Sequence, residues 1–313
     1  MPTPSKKLLF VDTNIWLDFY RVQGGAGLRL LKSLEAIKDK VIVTYQIESE
    51  FKTNRQRVLI NSLTNLKAPS GIVLPNIVAD AKRTKMLSKD ISNAQKRVSS
   101  LQKHLAKVIS KPTIHDPVYK AFQKIFHRTN DPIALTRENQ QKLEIRRKAL
   151  QRFMHGCPPR KHNDITIGDA FNWEWMVYCA IEQKAELVIV TRDTDYGVIH
   201  EGQSYLNDHL RQEFQERVSK RRKILLCSLL TEALKQFKVK VTKKDSLAEE
   251  ELVSTGIDAT VATAGARRRR EVRMALEDLN SEEVSKARRR APMSEGLLKL
   301  LAAPEGGDQG GTA

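Results

Sequence analysis

Four short runs of this sequence are apolar at almost every position instead of at alternate positions. They span residues 7–11, 41–45, 186–191 and 223–229. A strand with this pattern is buried on both faces, as strands are in a parallel sheet that helices cover. The residues between the runs show helical spacing, so strands alternate with helices along the chain. The pattern predicts an α/β fold of three layers with a central parallel sheet.

Acidic residues follow the first three of these runs. Asp12 comes directly after the first run, and Glu50 lies just beyond the second. Asp193 comes just after the third run, with Asp195 two residues later. Asp169 begins the helix that precedes the third run. Ligands of open parallel sheets bind outside the carboxyl ends of the strands. We therefore expect these carboxylates to meet at one edge of the sheet.

Carboxylates that are packed together repel one another and raise one another's pKa values. A divalent cation compensates for this charge, and Mg²⁺ or Mn²⁺ prefers hard oxygen ligands. The sequence therefore predicts a metal centre at Asp12, Glu50, Asp169 and Asp193, with Asp195 as an additional candidate. Two alternatives stay open at this point. Asp12 and Asp169 also suit the start of a helix, where a carboxylate caps free N–H groups, and Glu48 competes with Glu50.

Four motifs carry a resemblance to a known family. They are FVDTN at 10–14, ESEFKTNR at 48–55, IGDAFNWEW at 167–175 and VIVTRDTDYG at 188–197. In this order, and in this strand context, they resemble the PIN-domain superfamily of metal-dependent nucleases. The chain is most similar to bacterial PIN-like proteins of unknown function that carry a helical insertion between the two halves of the domain. The resemblance covers about residues 7–65 and 156–230.

The resemblance implies a fold, a reaction and a cofactor. The implied fold is PIN-like, and the implied activity is an endonuclease that hydrolyses phosphodiester bonds of RNA or DNA, with RNA the favoured substrate. Asp12, Glu50, Asp169 and Asp193 match the four acids of the family, which hold Mg²⁺ or Mn²⁺ and thereby take part in catalysis. The alternative is a nucleic-acid-binding module that keeps the acids and has no turnover.

Several further residues are candidates for substrate contact. Asn14 matches the polar residue that follows the first aspartate of the family and lies near the metal or the phosphate. Arg55, Lys161 and Arg192 are candidates for holding phosphate beside the metal, and Glu174 is a candidate auxiliary acid.

Most of the positive charge lies in one internal segment. The net charge is +17, and residues 81–163 contain 20 Lys and Arg against five acidic residues. A bias of this size favours a polyanionic partner. We expect a basic helical insertion at about residues 80–155 that clamps nucleic acid beside the acidic cluster. The alternative is a helical hairpin that covers the sheet or forms a homodimer.

The last part of the chain differs in kind from the rest. Residues 240–313 contain 13 basic and 13 acidic residues, with low-complexity and Gly-rich stretches. We therefore expect a PIN-like domain at 1–240 and a largely disordered tail at 241–313. A helix at about 265–290 within this tail is a candidate surface for a protein partner or a second copy of the chain.

Cysteine use and hydropathy narrow the cellular setting. The three cysteines are far apart in the sequence and form no CxxC pair, which fits a reducing compartment and does not fit a structural zinc site. No apolar run approaches the length of a membrane-spanning helix. We therefore expect a cytoplasmic protein that makes no contact with membranes.

Overall fold

The computed structural model describes residues 5–22, 24–71, 76–79, 81–128, 131–160 and 166–255. The strands in these residues are β1 Lys7–Val11, β2 Val41–Thr44, β3 Ala134–Leu135, β4 Glu186–Val190, β5 Gly197–His200, β6 Gln203–Leu206 and β7 Ile224–Cys227. The α-helices are α1 Thr13–Asp18, α2 Ala26–Ala36, α3 Tyr45–Asn65, α4 Asn76–Ala79, α5 Lys82–Ser110, α6 Pro112–His115, α7 Pro117–Phe126, α8 Lys142–Met154, α9 Gly168–Glu182, α10 Asp208–Arg217 and α11 Leu230–Gln236, followed by α12 at residues 243–255.

Five strands form one parallel sheet in the order β3-β2-β1-β4-β7, and helices flank it. The predicted PIN-like α/β fold with a central parallel sheet is confirmed, and all four predicted strands are present. The edge strand β3 was not predicted, because two residues are too few to show a period. The antiparallel pair β5-β6 also escaped the sequence analysis.

The strands are buried as their apolar composition predicts. Every residue of β1 from Leu8 to Val11 and of β4 from Leu187 to Val190 is buried. On one side of the core, the indole ring of Trp16 meets the ring of Phe122 edge-on with 5.0 Å between centroids. In α9, Trp173 and Trp175 are both buried.

The basic insertion is not one uniform surface. Its second part builds the domain itself, because β3 extends the sheet and α7 contributes the buried rings of Phe122 and Phe126. Its first part, α5, lies on the periphery, and Val108 is its one buried residue. Among the described helices, none combines the length and the apolar composition that crossing a membrane requires.

The first compact unit of the chain extends to Val253. Arg29 on α2 forms an ion pair of 2.7 Å with Asp245 on α12. The buried Glu249 of α12 accepts hydrogen bonds from the backbone N–H groups of Leu230 and Thr231 at the start of α11, at 2.6 and 2.9 Å. Residues 241–253 therefore belong to this unit. The second unit begins at Ser254, and the candidate helix at 265–290 lies outside the described residues.

Candidate active site

A cleft of about 540 Å³ lies at the carboxyl ends of β1 and β4. The four acids Asp12, Glu50, Asp169 and Asp193 come from different parts of the chain and all line this cleft. The other lining residues are polar or small except for one leucine, and they are Thr13, Asn14, Leu17, Asn54, Thr166 and Gly168. No Lys or Arg is present in the described lining, so all of its charged side chains are acidic.

Asp12 is held by three hydrogen bonds at the end of β1. Its carboxylate accepts from the backbone N–H of Thr13 at 2.6 Å, the hydroxyl of Thr191 at 2.5 Å and the side-chain amide of Asn14 at 2.9 Å. The first bond makes Asp12 the N-cap of α1, and its carboxylate also lines the cleft. The two alternatives that the sequence left open for Asp12 are therefore compatible.

Glu50 is oriented by two side-chain donors. Its carboxylate accepts from the hydroxyl of Thr13 at 2.7 Å and from the side-chain amide of Gln46 at 2.7 Å. Glu48 lies on the other side of α3, where it contacts Lys52 at 2.6 Å and His127 at 2.8 Å. Of the two glutamates that competed in the sequence, Glu50 is therefore the one that lines the cleft.

Asp169 stands in the first turn of α9, close to α3. The position before it is Gly168, where a Cβ atom would lie 3.0 Å from the side-chain nitrogen of Gln46 and 3.1 Å from a carboxylate oxygen of Glu50. Only glycine allows this approach without displacing those side chains. The N-terminus of a helix also favours a negative charge, which suits an aspartate at this place.

Asp193 and Asp195 follow β4 and take different positions. The N–H of Asp193 donates to the hydroxyl of Thr191 at 3.0 Å, which ties Asp193 to the same threonine that holds Asp12. Asp193 lines the cleft, whereas Asp195 is not among the residues of its lining. As a metal ligand, Asp195 therefore has less support from the geometry than the other four acids.

The neighbouring carboxylates change the ionisation of Asp12. Burial and the charges of Asp193 and Glu50 raise the pKa of Asp12 from 3.8 to about 7, although the hydrogen bonds from Thr191 and Thr13 act in the opposite direction. The buried phenol of Tyr196 shows the same crowding. Its pKa is raised by burial and then by the charges of Asp169, Asp12, Asp193 and Glu50. All four acids therefore surround one region of low dielectric.

The donor set of the cleft fits a hard divalent cation. It consists of oxygen atoms, and the buried Oδ1 atom of Asn14 has no hydrogen-bond partner among the described residues. Carboxylate and amide oxygens are the ligands that Mg²⁺ and Mn²⁺ prefer. In the described part of the chain, no three His, Cys, Asp or Glu side chains already converge at ligand distances. Cation binding would therefore have to draw the carboxylates closer together.

The geometry does not support the phosphate-binding role suggested for Arg55. Its guanidinium is buried and forms an ion pair of 2.6 Å with the buried Asp116. It also donates to the carbonyl of Val108 at 2.7 Å and to the hydroxyl of Tyr20 at 3.1 Å. These groups enclose the guanidinium, so Arg55 connects α3 to the insertion.

Arg192 and Lys161 are the two other residues that were predicted to hold phosphate. Arg192 turns away from the cleft and pairs with the buried Asp18 of α1, so the geometry does not support a phosphate contact. Lys161 lies outside the described residues.

Glu174, the candidate auxiliary acid, is not among the residues that line the cleft. It is buried between Arg152 at 2.9 Å and Arg217 at 2.7 Å. Burial raises the pKa of Glu174, but these two arginines lower it by more, so the carboxylate stays ionised as part of a structural network.

Two threonines that hold the acids were missed by sequence reasoning. Thr13 joins Asp12 to Glu50, and Thr191 joins Asp12 to Asp193. Both stand directly after a buried strand or its terminal acid, in FVDTN and VIVTRD. A hydroxyl residue within two positions of an acid at the end of a buried strand is the signal that could have identified them.

Comparison with known proteins agrees with this architecture. No curated protein and no solved structure matches the chain. A family model described as a PIN domain matches residues 9–196, which include the last three residues of β1, all of β4 and all four acids of the cleft. This match covers more than half of the sequence and confirms the resemblance. The chain belongs to the PIN domain family.

Proposed function

We propose that this protein is an endonuclease that hydrolyses phosphodiester bonds of RNA or DNA with Mg²⁺ or Mn²⁺ held in the acidic cleft. PIN domains are generally nucleases that use divalent metals, and this family membership supports the reaction type. The observation that carries the proposal is the convergence of Asp12, Glu50, Asp169 and Asp193 on one cleft whose described lining contains no basic residue.

Charge makes the cation necessary for this reaction. A phosphodiester is an anion, and four carboxylates in a partly buried cleft would repel it. A bound divalent cation offsets that charge, lowers the pKa of a coordinated water and stabilises the leaving oxygen. The four acids and the Oδ1 atom of Asn14 are the groups of this chain that would hold it.

Three residues beside the cleft acids orient their carboxylates. Thr13 and Gln46 keep the carboxylate of Glu50 turned toward the cleft, and Thr191 does the same for Asp12. The described lining offers no Ser, Cys or His side chain as a nucleophile. Its hydroxyls belong to Thr13, which is engaged with Glu50, and to Thr166. We expect a water molecule, and not one of these side chains, to attack phosphorus.

A matched pair of glutamates provides the test. Purified protein is incubated with labelled single- and double-stranded RNA and DNA in Mn²⁺ or in EDTA. We expect Asp12→Asn and Glu50→Gln to lower the cleavage rate by about 100-fold or more, because each removes a ligand charge. Glu48→Gln serves as the control, because Glu48 lies on the same helix and faces away from the cleft.

Three results would contradict the proposal. They are cleavage that persists in EDTA, full activity of both cleft variants, and binding of every substrate without any cleavage. The last result would identify the protein as a binding module without turnover.

A further inference from the structure

Lysines recur every seven residues along α5. Lys82, Lys89, Lys96 and Lys103 are all exposed, and we refer to these four residues as the lysine stripe. Seven residues make almost two helical turns, so the four side chains project from one side of the helix with a drift of about 20° per step. The step along the axis is about 10.5 Å, and the stripe spans about 32 Å.

The charge of the stripe is not balanced by neighbouring acids. Arg83, Arg97 and His104 each follow a stripe lysine and are exposed, and Asp90 is the one acidic residue of α5. Within the described part of the chain, no carboxylate forms an ion pair with a stripe lysine. An ordinary solvated helix face mixes charges of both signs. This face carries a nearly uniform positive charge.

The opposite side of α5 attaches the helix to the protein. Apolar residues recur there in steps of four and three, and they are Leu87, Ile91, Ala94, Val98, Leu101, Leu105 and Val108. Beside them, the side-chain amides of Gln95 and Gln102 donate to the carbonyls of Pro69 at 3.0 Å and Leu66 at 2.9 Å. The protein covers this side only in part, because Val108 is buried whereas Leu87 and Leu101 are exposed. The four lysines of the stripe are themselves exposed to solvent.

The base of α5 is anchored to the helix that carries the cleft. Asn54 of α3 lines the cleft, and the next residue, Arg55, donates to the carbonyl of Val108 near the end of α5. The contacts of Val108 with Arg55 and of Gln102 with Leu66 show that α5 runs antiparallel to α3. The nearest stripe residue, Lys103, lies about 7.5 Å along the helix from Val108, and the stripe continues from there away from the cleft.

We infer that α5 is a second, non-catalytic contact for nucleic acid, in which the lysine stripe binds backbone phosphates of a strand whose scissile bond lies in the acidic cleft. This inference rests on the proposed function for the identity of the polyanion. α5 contains no Phe, Tyr or Trp on which bases could stack. The stripe therefore contacts the backbone alone, without sequence preference and with strong salt dependence.

The test compares two variants that lose the same charge. One replaces the stripe with glutamine (Lys82→Gln, Lys89→Gln, Lys96→Gln and Lys103→Gln), which preserves helix propensity. The control replaces four exposed lysines elsewhere (Lys220→Gln, Lys223→Gln, Lys240→Gln and Lys244→Gln). Affinity for fluorescein-labelled 30-nucleotide oligo(U) and oligo(dT) is measured in EDTA over a range of salt concentrations.

For the stripe variant we expect the slope of log affinity against log salt to fall by about 3, because four phosphate contacts to a single strand are lost. At low salt its affinity should be at least about tenfold weaker, and the control should keep the slope of the wild type. Equal slopes for the stripe variant and the wild type, or equal losses in both variants, would overturn the inference.

Cleavage of short and long substrates separates this inference from the proposed function. The stripe variant should cut a hexanucleotide in Mn²⁺ as fast as the wild type does, and it should show a raised KM for a 30-nucleotide strand alone. If nothing is cut while the slopes differ as expected, the nuclease proposal fails and the binding surface stands. If both lengths are cut equally well by both proteins, the stripe has no role.

Discussion

Asp12 shows how one residue can cap a helix and form part of a reactive cleft. Its carboxylate accepts the N–H of Thr13 and the hydroxyl of Thr191, yet it remains buried next to Asp193 and Glu50. Burial and like charges make its ionised form costly, and this raises its pKa to about 7. Without a cation, the cleft therefore destabilises the folded state at neutral pH.

The raised pKa of Asp12 predicts that stability in EDTA depends on pH. In the unfolded chain Asp12 ionises near 3.8, whereas in the folded chain it keeps its proton until about pH 7. The unfolded state therefore binds fewer protons between these values, so the free energy of unfolding falls as pH rises through this window and is flat above it. The contribution of Asp12 is on the order of 4 kcal/mol.

Melting curves of the wild type and of Asp12→Asn in EDTA measure this effect. We expect the variant to melt higher than the wild type at pH 8 and the difference to shrink toward pH 5, because the variant has no charge at this position. Added Mn²⁺ should raise the melting temperature of the wild type more than that of the variant. If the difference between the two melting temperatures stayed constant from pH 5 to pH 8, the pKa of Asp12 would not be raised by folding.

The helix α3 joins the cleft to the insertion. Glu50 and Asn54 line the cleft, and Arg55 forms a buried ion pair with Asp116, which caps α7 through the N–H of Tyr119 at 3.0 Å. The ring of Tyr119 also packs against the guanidinium of Arg55. The helix α3 therefore positions the candidate metal ligand Glu50 and also anchors the base of α5, which carries the lysine stripe.

Removal of Arg55 should destabilise the protein severely. Arg55→Ala leaves the carboxylate of Asp116 buried without its cationic partner, and breaking such a pair typically costs about 3–5 kcal/mol. Arg57→Ala is the control, because Arg57 is exposed on the same helix and should change stability by less than about 0.5 kcal/mol. Urea unfolding measures both values, and equal effects of the two changes would refute the structural role of Arg55.

At the scale of the whole molecule, the first compact unit depends on a segment that the sequence suggested was part of a flexible tail. Glu249 caps the start of α11 by accepting hydrogen bonds from two backbone N–H groups, and Asp245 pairs with Arg29. The boundary at residue 240 that composition suggested would remove both contacts. The structure extends the first unit to Val253.

Truncation and a point change test this boundary. A chain of residues 1–255 should melt at the temperature of the full chain, whereas a chain of residues 1–240 should melt lower. Glu249→Ala should cost about 1–2 kcal/mol, because two backbone N–H groups lose their acceptor, and the exposed Glu250→Ala should have little effect. A chain of residues 1–240 that is as stable as the full chain would restore the shorter boundary.

Much of the architecture could be predicted from local patterns. Short runs that are apolar at almost every position are typical of strands that are buried on both faces, and alternation with helices favours parallel strands. Because parallel strands end at one edge, the acids after β1, β2 and β4 could be assigned to one cleft. Asp12, Glu50, Asp169 and Asp193 indeed line it, and their role as metal ligands stays a prediction.

The directions of individual side chains were decided by tertiary structure. Glu48 and Glu50 are two residues apart on a helix and so point to nearly opposite sides, but only the packing of α3 determines which side faces the cleft. The sequence likewise contains no sign that Arg55 meets Asp116, because the two residues are far apart in the chain and their pairing depends on how the insertion folds back. Local patterns set which elements form, whereas the contacts of each charged side chain depend on neighbours that only the folded chain brings together.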